Sequence, residues 1–334
     1  MINFALIGAG RIGKMHAQNI HSNPKCQLKY VYDINKKFSQ EVADFTGATI
    51  KSSAEEAISS QDVDSVFIAS STDTHTQYII LSAKAGKSIL CEKPVDLDIN
   101  KINECFKAIK DINVPIQIGF NRRFDSNIKK LMHSKQSGTI GNLEMVLITS
   151  RDIAPSTKEY HKTSGGLFRD CTIHDFDMAR FILEDDPIVE VSAYASQLFS
   201  EDIRSINDND TAMILMKSQK GVLIHINNSR HSSYGYDQRV EIFGSKGMLI
   251  SNNKNPTTVE EYNKTGTFMK EPIFDFFIER YEEAYKNQLD EFIDCVENNK
   301  KPTVTFKDGQ IAIILANAAY QSLESRTSID VSYE

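Results

Sequence analysis

Apolar residues follow two different rhythms along this chain. Up to about residue 120, short continuous apolar runs alternate with stretches whose apolar positions recur every three or four residues. The runs "INFALI" (2–7), "QLKYVYD" (27–33), "SVFIAS" (65–70), "SILCE" (88–92) and "PIQIGF" (115–120) predict strands. They are bare of polar alternation because a parallel strand is covered on both faces. Between them "KMHAQNIHS" (14–22), "TQYIILSAKAG" (76–86, ending in Gly86) and "NKINECFKAIKDI" (100–112) predict helices. Strand and helix in alternation predict a doubly wound α/β sheet.

After residue 120 the rhythm changes. Residues 142–151, 188–197, 210–218, 221–230 and 239–251 are strand-like, and Gly, Asn or Asp turn signals separate most of them. They predict a second sheet of about five or six strands. Residues 281–299 and 308–325 predict late helices packing near the domain junction; the first carries Leu289, Phe292, Ile293 and Val296 on one stripe. The expected division is 1–120 and 121–334, with the change near "GFNRRFD" (119–125). No repeat, low-complexity segment or Pro/Gly/Ser linker marks it.

Composition narrows the functional classes. A chain of 334 residues suits two hydrophobic cores, since domains usually hold roughly 100–200 residues. Net charge is -7 with acidic and basic residues interleaved, which gives no field for nucleic acid or an anionic membrane surface. No apolar run approaches the roughly 20 residues that span a bilayer, and "MINFALIGAG" lacks a basic, cleavable leader pattern. The five cysteines are dispersed, without a C-x-x-C pair, and an odd count leaves no complete disulfide framework. A cytoplasmic protein is expected.

The first candidate chemistry follows the first strand at once. "GAGRIG" places Gly8, Gly10, Arg11, Ile12 and Gly13 where a glycine turn opens a helix, the geometry that cradles a pyrophosphate on backbone N–H groups. Asp33, 20 residues after Gly13, closes the second strand, where a carboxylate accepts hydrogen bonds from adenosine ribose and repels the extra phosphate of NADP. NAD is therefore expected over NADP, though Lys36 and Lys37 soften the discrimination, and Asp33 also reads as a helix N-cap. Ligands of such sheets sit beyond the carboxyl ends of the strands, so Ser70, Thr72 and His75 after one strand and Glu92 and Lys93 after the next join the cofactor candidates. Thr72 and His75 read equally well as caps of the helix that follows. Lys93 in "CEKP" either pairs with Glu92 at the surface or hydrogen-bonds a substrate oxygen and stabilises charge developing there.

In the second half, "GGLFRDCTIHDFDMARF" (165–181) sets Asp170 and His174 four apart on a predicted helix. Three readings compete. A metal site needs more ligands than this spacing supplies, so none is expected. A surface ion pair is worth a few tenths of a kcal/mol. A catalytic pair has His174 taking a proton while Asp170 orients the ring.

Taken together, "GAGRIG", Asp33, "EKP" and the Asp-x-x-x-His helix resemble the Gfo/Idh/MocA oxidoreductase family. The stretches 119–125, 164–181 and 234–249 are most similar to its inositol-oxidising branch. The resemblance covers nearly the whole chain. It implies a Rossmann domain followed by an α+β domain with a large, mostly antiparallel open sheet that mediates homodimers or homotetramers. It also implies Lys93, Asp170 and His174 as catalytic residues. Arg122, Asp152, Tyr160, Tyr234 and Tyr236 lie in segments that resemble the family's substrate-binding stretches, and the long polar segment 150–166 suits a rim over a pocket. Cys171 stands where members of that branch can carry threonine, which bears on the choice of polyol. The implied reaction is NAD-dependent oxidation of myo-inositol to a 2-keto product, with His174 as general base. Another cyclitol or sugar, an NADP-dependent reductase, or an NAD(H)-binding regulator without catalysis remain as alternatives.

Overall fold

The computed structural model describes residues 1–333. Met1–Asn121 with Tyr285–Ile313 form one compact unit, and Arg122–Ala284 with residues 314–333 form another. In the first unit, β1 (Ile2–Ile7), α1 (Arg11–Ser22), β2 (Cys26–Tyr32), α2 (Lys36–Thr46), β3 (Thr49–Ile50), α3 (Ala54–Ser59), β4 (Ser65–Ile68), α4 (His75–Lys84), β5 (Ser88–Cys91), α5 (Ile99–Ile109) and β6 (Ile116–Ile118) follow in order. The six strands are parallel in the order β3-β2-β1-β4-β5-β6, the doubly wound arrangement expected. Strand order reverses between β1 and β4, which opens the ligand crevice beside the end of β1.

Three elements in 36–59 are not announced by the apolar rhythm. Both residues of β3 are exposed, and α2 buries only Ser39 and Val42 fully, its Phe38 remaining exposed, so their apolar signal is short.

Leu289, Phe292 and Ile293, the stripe of the helix Glu282–Asn298, pack into the first unit's core with Phe4, Leu6, Phe67 and Leu90. Burying such side chains is worth roughly 1.5–3 kcal/mol each. That burial is why residues 285–313 group with the first unit instead of an uninterrupted second domain over 121–334.

The second unit contains α6 (Ser126–Gln136), β7 (Leu143–Arg151), α7 (Lys158–Thr163), α8 (Leu167–Asp170), α9 (Ile173–Leu183), β8 (Ile188–Ser196), β9 (Thr211–Ser218), β10 (Leu223–Ser229), β11 (Asp237–Gly244) and β12 (Gly247–Ser251). Its seven-stranded sheet runs β12-β11-β7-β10-β9-β8 and ends on Ile329–Asp330. Only β7 and β10 pair in parallel. The stretch expected as one strand over 239–251 is a hairpin that turns at Ser245-Lys246. A Cβ at Gly244 would lie 2.5 Å from the carbonyl oxygens of Ile140 and Asn142, so the turn needs glycine there. One sheet face buries Val146, Ile148, Ile214, Ile224 and Ile226, while the other leaves Tyr194, Met213, Leu215 and Leu223 exposed. That alternation is what a sheet covered on one side requires.

Candidate functional site

The three glycines of the turn after β1 differ in what a side chain would meet. Gly8 has φ +93°, and a Cβ on it would lie 2.4 Å from the Ala69 oxygen and the Ser70 nitrogen. A Cβ on Gly13 would lie 2.0 Å from the Gly8 oxygen, so α1 sits hard against the turn. Gly10 has nothing within 4 Å of its Cβ position and leaves an open cradle at the N-terminus of α1, which no side chain caps. This suits a diphosphate, whose oxygens take the place of the missing cap. Arg11 is exposed and Ile12 half-buried at the same turn.

Asp33 is tied into this turn. Its Oδ2 accepts from the Ala9 N–H at 2.6 Å and its Oδ1 from the Asn35 N–H at 2.7 Å. Asn35, not Asp33, caps α2, by accepting from the Lys37 N–H.

Beyond β4 and β5 the structure corrects one assignment. His75 does not extend toward a ribose: it is 1% exposed at the start of α4. Its Nδ1 lies 2.8 Å from the Pro94 oxygen and its Nε2 3.0 Å from the Ser70 oxygen, so the ring bridges the two loops. Ser70 Oγ shares a hydrogen bond with Thr74 Oγ1 at 2.7 Å, and Thr72 opens a 3-10 turn, half-buried. Lys93 precedes Pro94 through a cis peptide bond. Glu92 accepts from the Lys93 N–H at 3.3 Å and reaches back to α1, where its Oε1 lies 2.8 Å from His16 Nε2. His16 was not among the expected residues, although its place on the Gly13–Ala17–Ile20 stripe marks it as inward-facing. It is 1% exposed, against Phe67.

Burial pushes the His75 imidazole below its ordinary range and outweighs the two carbonyls that pull it up. Folding therefore favours the neutral ring, and the unfolded chain binds the extra proton first. Stability is expected to be complete above about pH 6.5, the unfolded value, and to fall as pH drops toward the folded value. Denaturant titrations at several pH values should show that acid slope in wild type and a flatter one in His75→Gln.

In the second unit the expected helix is interrupted. α8 ends at Asp170 and α9 begins at Ile173, with the Thr172 N–H donating to the Leu167 oxygen five residues back. The Thr172 hydroxyl donates to Asn228 Oδ1 at 2.6 Å, a bond outside the helix that holds the break. Asp170 and His174 therefore belong to two successive short helices, with Cys171 and Thr172 between them. Asp170 accepts from the Tyr160 hydroxyl at 2.7 Å and from Arg230 Nη1 at 3.1 Å. Cys171 Sγ donates to Asp152 Oδ2 and accepts from Arg230 Nη1, both at 3.3 Å. The structure thus brings Asp152, Tyr160, Asp170 and Cys171 together, and Arg230, unforeseen in the sequence, joins them. Burial pushes the Asp152 carboxyl and the Tyr160 hydroxyl up; the Arg230 charge draws both back.

Arg122 and Tyr236 are placed elsewhere than at an open substrate surface. Arg122 Nη1 donates to Asp175 Oδ1 at 2.8 Å and Ser150 Oγ at 3.0 Å, and Nη2 to the Tyr236 hydroxyl at 3.2 Å. All four side chains are buried. Burial raises the Asp175 carboxyl, while Arg122, Ser150 and Asn228 lower it. A cavity of about 20 Å³ lies along this network, room for a single water. Tyr234 is exposed; its hydroxyl donates to Asp237 at 2.6 Å and accepts from Arg151 at 2.8 Å. Among the described residues, no group of three or more His, Cys, Asp or Glu side chains is placed to hold a metal ion.

Residues 2–120 match the family model described as oxidoreductase family, NAD-binding Rossmann fold, and residues 136–331 match the oxidoreductase family, C-terminal alpha/beta domain. The chain belongs to the Gfo/Idh/MocA oxidoreductase family. A family relative from Rhizobium meliloti named inositol 2-dehydrogenase is 40% identical over 332 residues, 99% of each chain. The crystal structure of a myo-inositol dehydrogenase from Corynebacterium glutamicum superposes with TM-score 0.96 at 43% identity, covering 100% of both chains. A scyllo-inositol dehydrogenase from Lactobacillus casei, solved with NAD(H) and scyllo-inositol bound, gives TM-score 0.92 at 27% identity over 99% of this Gfo/Idh/MocA chain and 98% of its own.

Proposed function

We propose that this chain is an NAD-dependent dehydrogenase of a cyclic polyol that oxidises myo-inositol to its 2-keto product. The observation that carries the reading is the full-length likeness to a myo-inositol dehydrogenase, 43% identical at TM-score 0.96. The open Gly10 cradle and the Asp33-tied turn support the cofactor assignment. When bound, NAD+ supplies the hydride acceptor.

The chain's own residues supply placement and charge. Gly8, Gly10, Arg11, Ile12 and Gly13 hold the diphosphate, with Asp33 on the ribose. Ser70, Thr72 and Glu92 line the cofactor loops, and His75 acts by fastening them. Lys93 donates a hydrogen bond to the substrate oxygen and steadies its charge. His174 removes the hydroxyl proton, and Asp170 and Tyr160 hold the polar surroundings in which it does so. Asp152, Cys171 and Tyr234 contact ring hydroxyls, with Arg122 and Tyr236 behind them as support.

A panel of polyols assayed for NADH production tests the reading. Turnover of myo-inositol well above the others supports it, and no turnover of any polyol sinks it. Preference for scyllo-inositol is the second reading, favoured by the likeness to the scyllo-inositol dehydrogenase.

Asp33 gives a sharper test of cofactor choice. Asp33→Ala is expected to narrow the NAD-over-NADP ratio of kcat/KM by about tenfold or more, since it removes a charge facing the extra phosphate. It also frees the Ala9 N–H, so the KM for NAD+ should rise. An unchanged ratio refutes the assignment.

A homo-oligomer through the open sheet face is part of the proposal. Tyr194, Met213, Leu215, Leu223, Met145, Met248 and Ile250 leave there an apolar surface of the kind that marks an interface. Light scattering of the purified protein tests it. A cytoplasmic location is supported by five cysteines that are all unbridged. No helix among the described residues is long and apolar enough to cross a membrane.

A further inference from the structure

Arg230 lies one residue beyond the end of β10 and is 2% exposed, among the largest fully buried side chains of the protein. A buried guanidinium is costly to desolvate and is kept only where its surroundings compensate it. Here they are acidic: Asp170 Oδ2 at 3.1 Å, Asp208 Oδ2 at 3.5 Å, and the Cys171 thiol, itself bonded to Asp152, at 3.3 Å. Tyr160 and His161 of α7 and Tyr320 of the helix Phe306–Ser325 complete the titratable groups within its electrostatic reach. Two residues earlier on the same face of β10, Asn228 accepts from Thr172 at 2.6 Å and donates to Asp175 at 2.7 Å, on either side of His174. The end of β10 thus acts as a template for the segment 170–175. Arg230 fixes Asp170 and Cys171 at its start, and Asn228 fixes its continuation.

Resting on the dehydrogenase reading above, we infer that Arg230 is a positioning residue for the reaction. Its guanidinium clamps the Asp170 carboxylate and the Cys171 thiol in register, and it acts on turnover through Asp170. The role differs from that of a substrate contact, because the guanidinium is enclosed by acidic partners. It also differs from generic stabilisation, because the groups it fixes are those assigned to the chemistry.

The test is a double-mutant cycle on polyol oxidation, with Arg230→Met, Asp170→Asn and the pair together, and Arg230→Lys alongside. Arg230→Met is expected to lower kcat about 100-fold, the size of a misplaced catalytic group, with the KM for NAD+ unchanged. The acid limb of its kcat profile should move toward neutral pH, because Asp152, which the Arg230 charge draws down, then takes up a proton more readily. Arg230→Lys keeps the charge and loses the fork, and should fall about tenfold. The charge-balanced pair should turn over within about threefold of Asp170→Asn alone, since residues that act as a unit are not additive. If Arg230→Met fails to fold, Arg230→Lys and the paired variant still decide. Effects that multiply across the cycle, or single Arg230 variants with wild-type kcat and pH profile, overturn the inference. A wild-type protein inactive on every polyol overturns the dehydrogenase reading, and this inference falls with it; an active wild type with multiplying effects overturns this inference alone.

Discussion

His174→Ala is expected to lower kcat on the true polyol by about 10² to 10⁴-fold, the usual worth of a general base. NADH affinity should be unchanged, because His174 lies outside the unit that carries the glycine turn. Thermal stability should also change little, since the imidazole is only half-buried on α9. Stopped-flow turnover with NADH titration and a melting curve on the same preparation separates these quantities. A variant that keeps near-normal turnover removes His174 from the mechanism.

Asp175→Ala, one residue on, should behave in the opposite way and destabilise the protein by about 3–5 kcal/mol. Its carboxylate is 0% exposed and accepts from Arg122 at 2.8 Å, Ser150 at 2.6 Å and Asn228 at 2.7 Å. Truncation leaves the Arg122 guanidinium buried with its main acceptor gone, and that uncompensated charge dominates the cost. Urea denaturation at neutral pH measures it. A loss below about 1 kcal/mol, the scale of an exposed pair, would show that water or a rearranged neighbour compensates Arg122. Adjacent positions on one helix are thus expected to report separately on chemistry and on stability.

Much of this was legible in the chain, for physical reasons that differ by element. The first sheet's strands are doubly covered, so their apolar runs stand out, and Gly8 and Gly13 mark positions where a Cβ would strike backbone. The second sheet prints a period of two because one face is left open. What was not legible depends on long-range partners. The spacing of Asp170 and His174 predicts one continuous helical face, but the Thr172–Asn228 bond, 56 residues apart, interrupts the helix between them. Arg230 sits after a strand with no local sign that it meets Asp170, 60 residues back. His75 looks in sequence like any helix cap, and although His16 sits on an inward stripe, only the packing of neighbouring elements reveals the partners that make both internal ties. Arg122 and Tyr236 lie in family-like stretches, yet their hydrogen bonds point to Asp175 and to each other.

The membership of residues 285–313 in the first unit has a consequence for biosynthesis. A ribosome releases β1 to β6 long before the helix Glu282–Asn298, so Phe4, Leu6, Phe67 and Leu90 emerge well ahead of the side chains that complete their packing. During the synthesis of more than 160 intervening residues, from Arg122 to Ala284, that nascent sheet has an incomplete core. Residues 1–121 expressed alone should therefore aggregate, and adding 285–313 as a separate peptide should recover soluble material. In this protein the nucleotide-binding half is begun first, yet it is completed only after most of the other unit has been made.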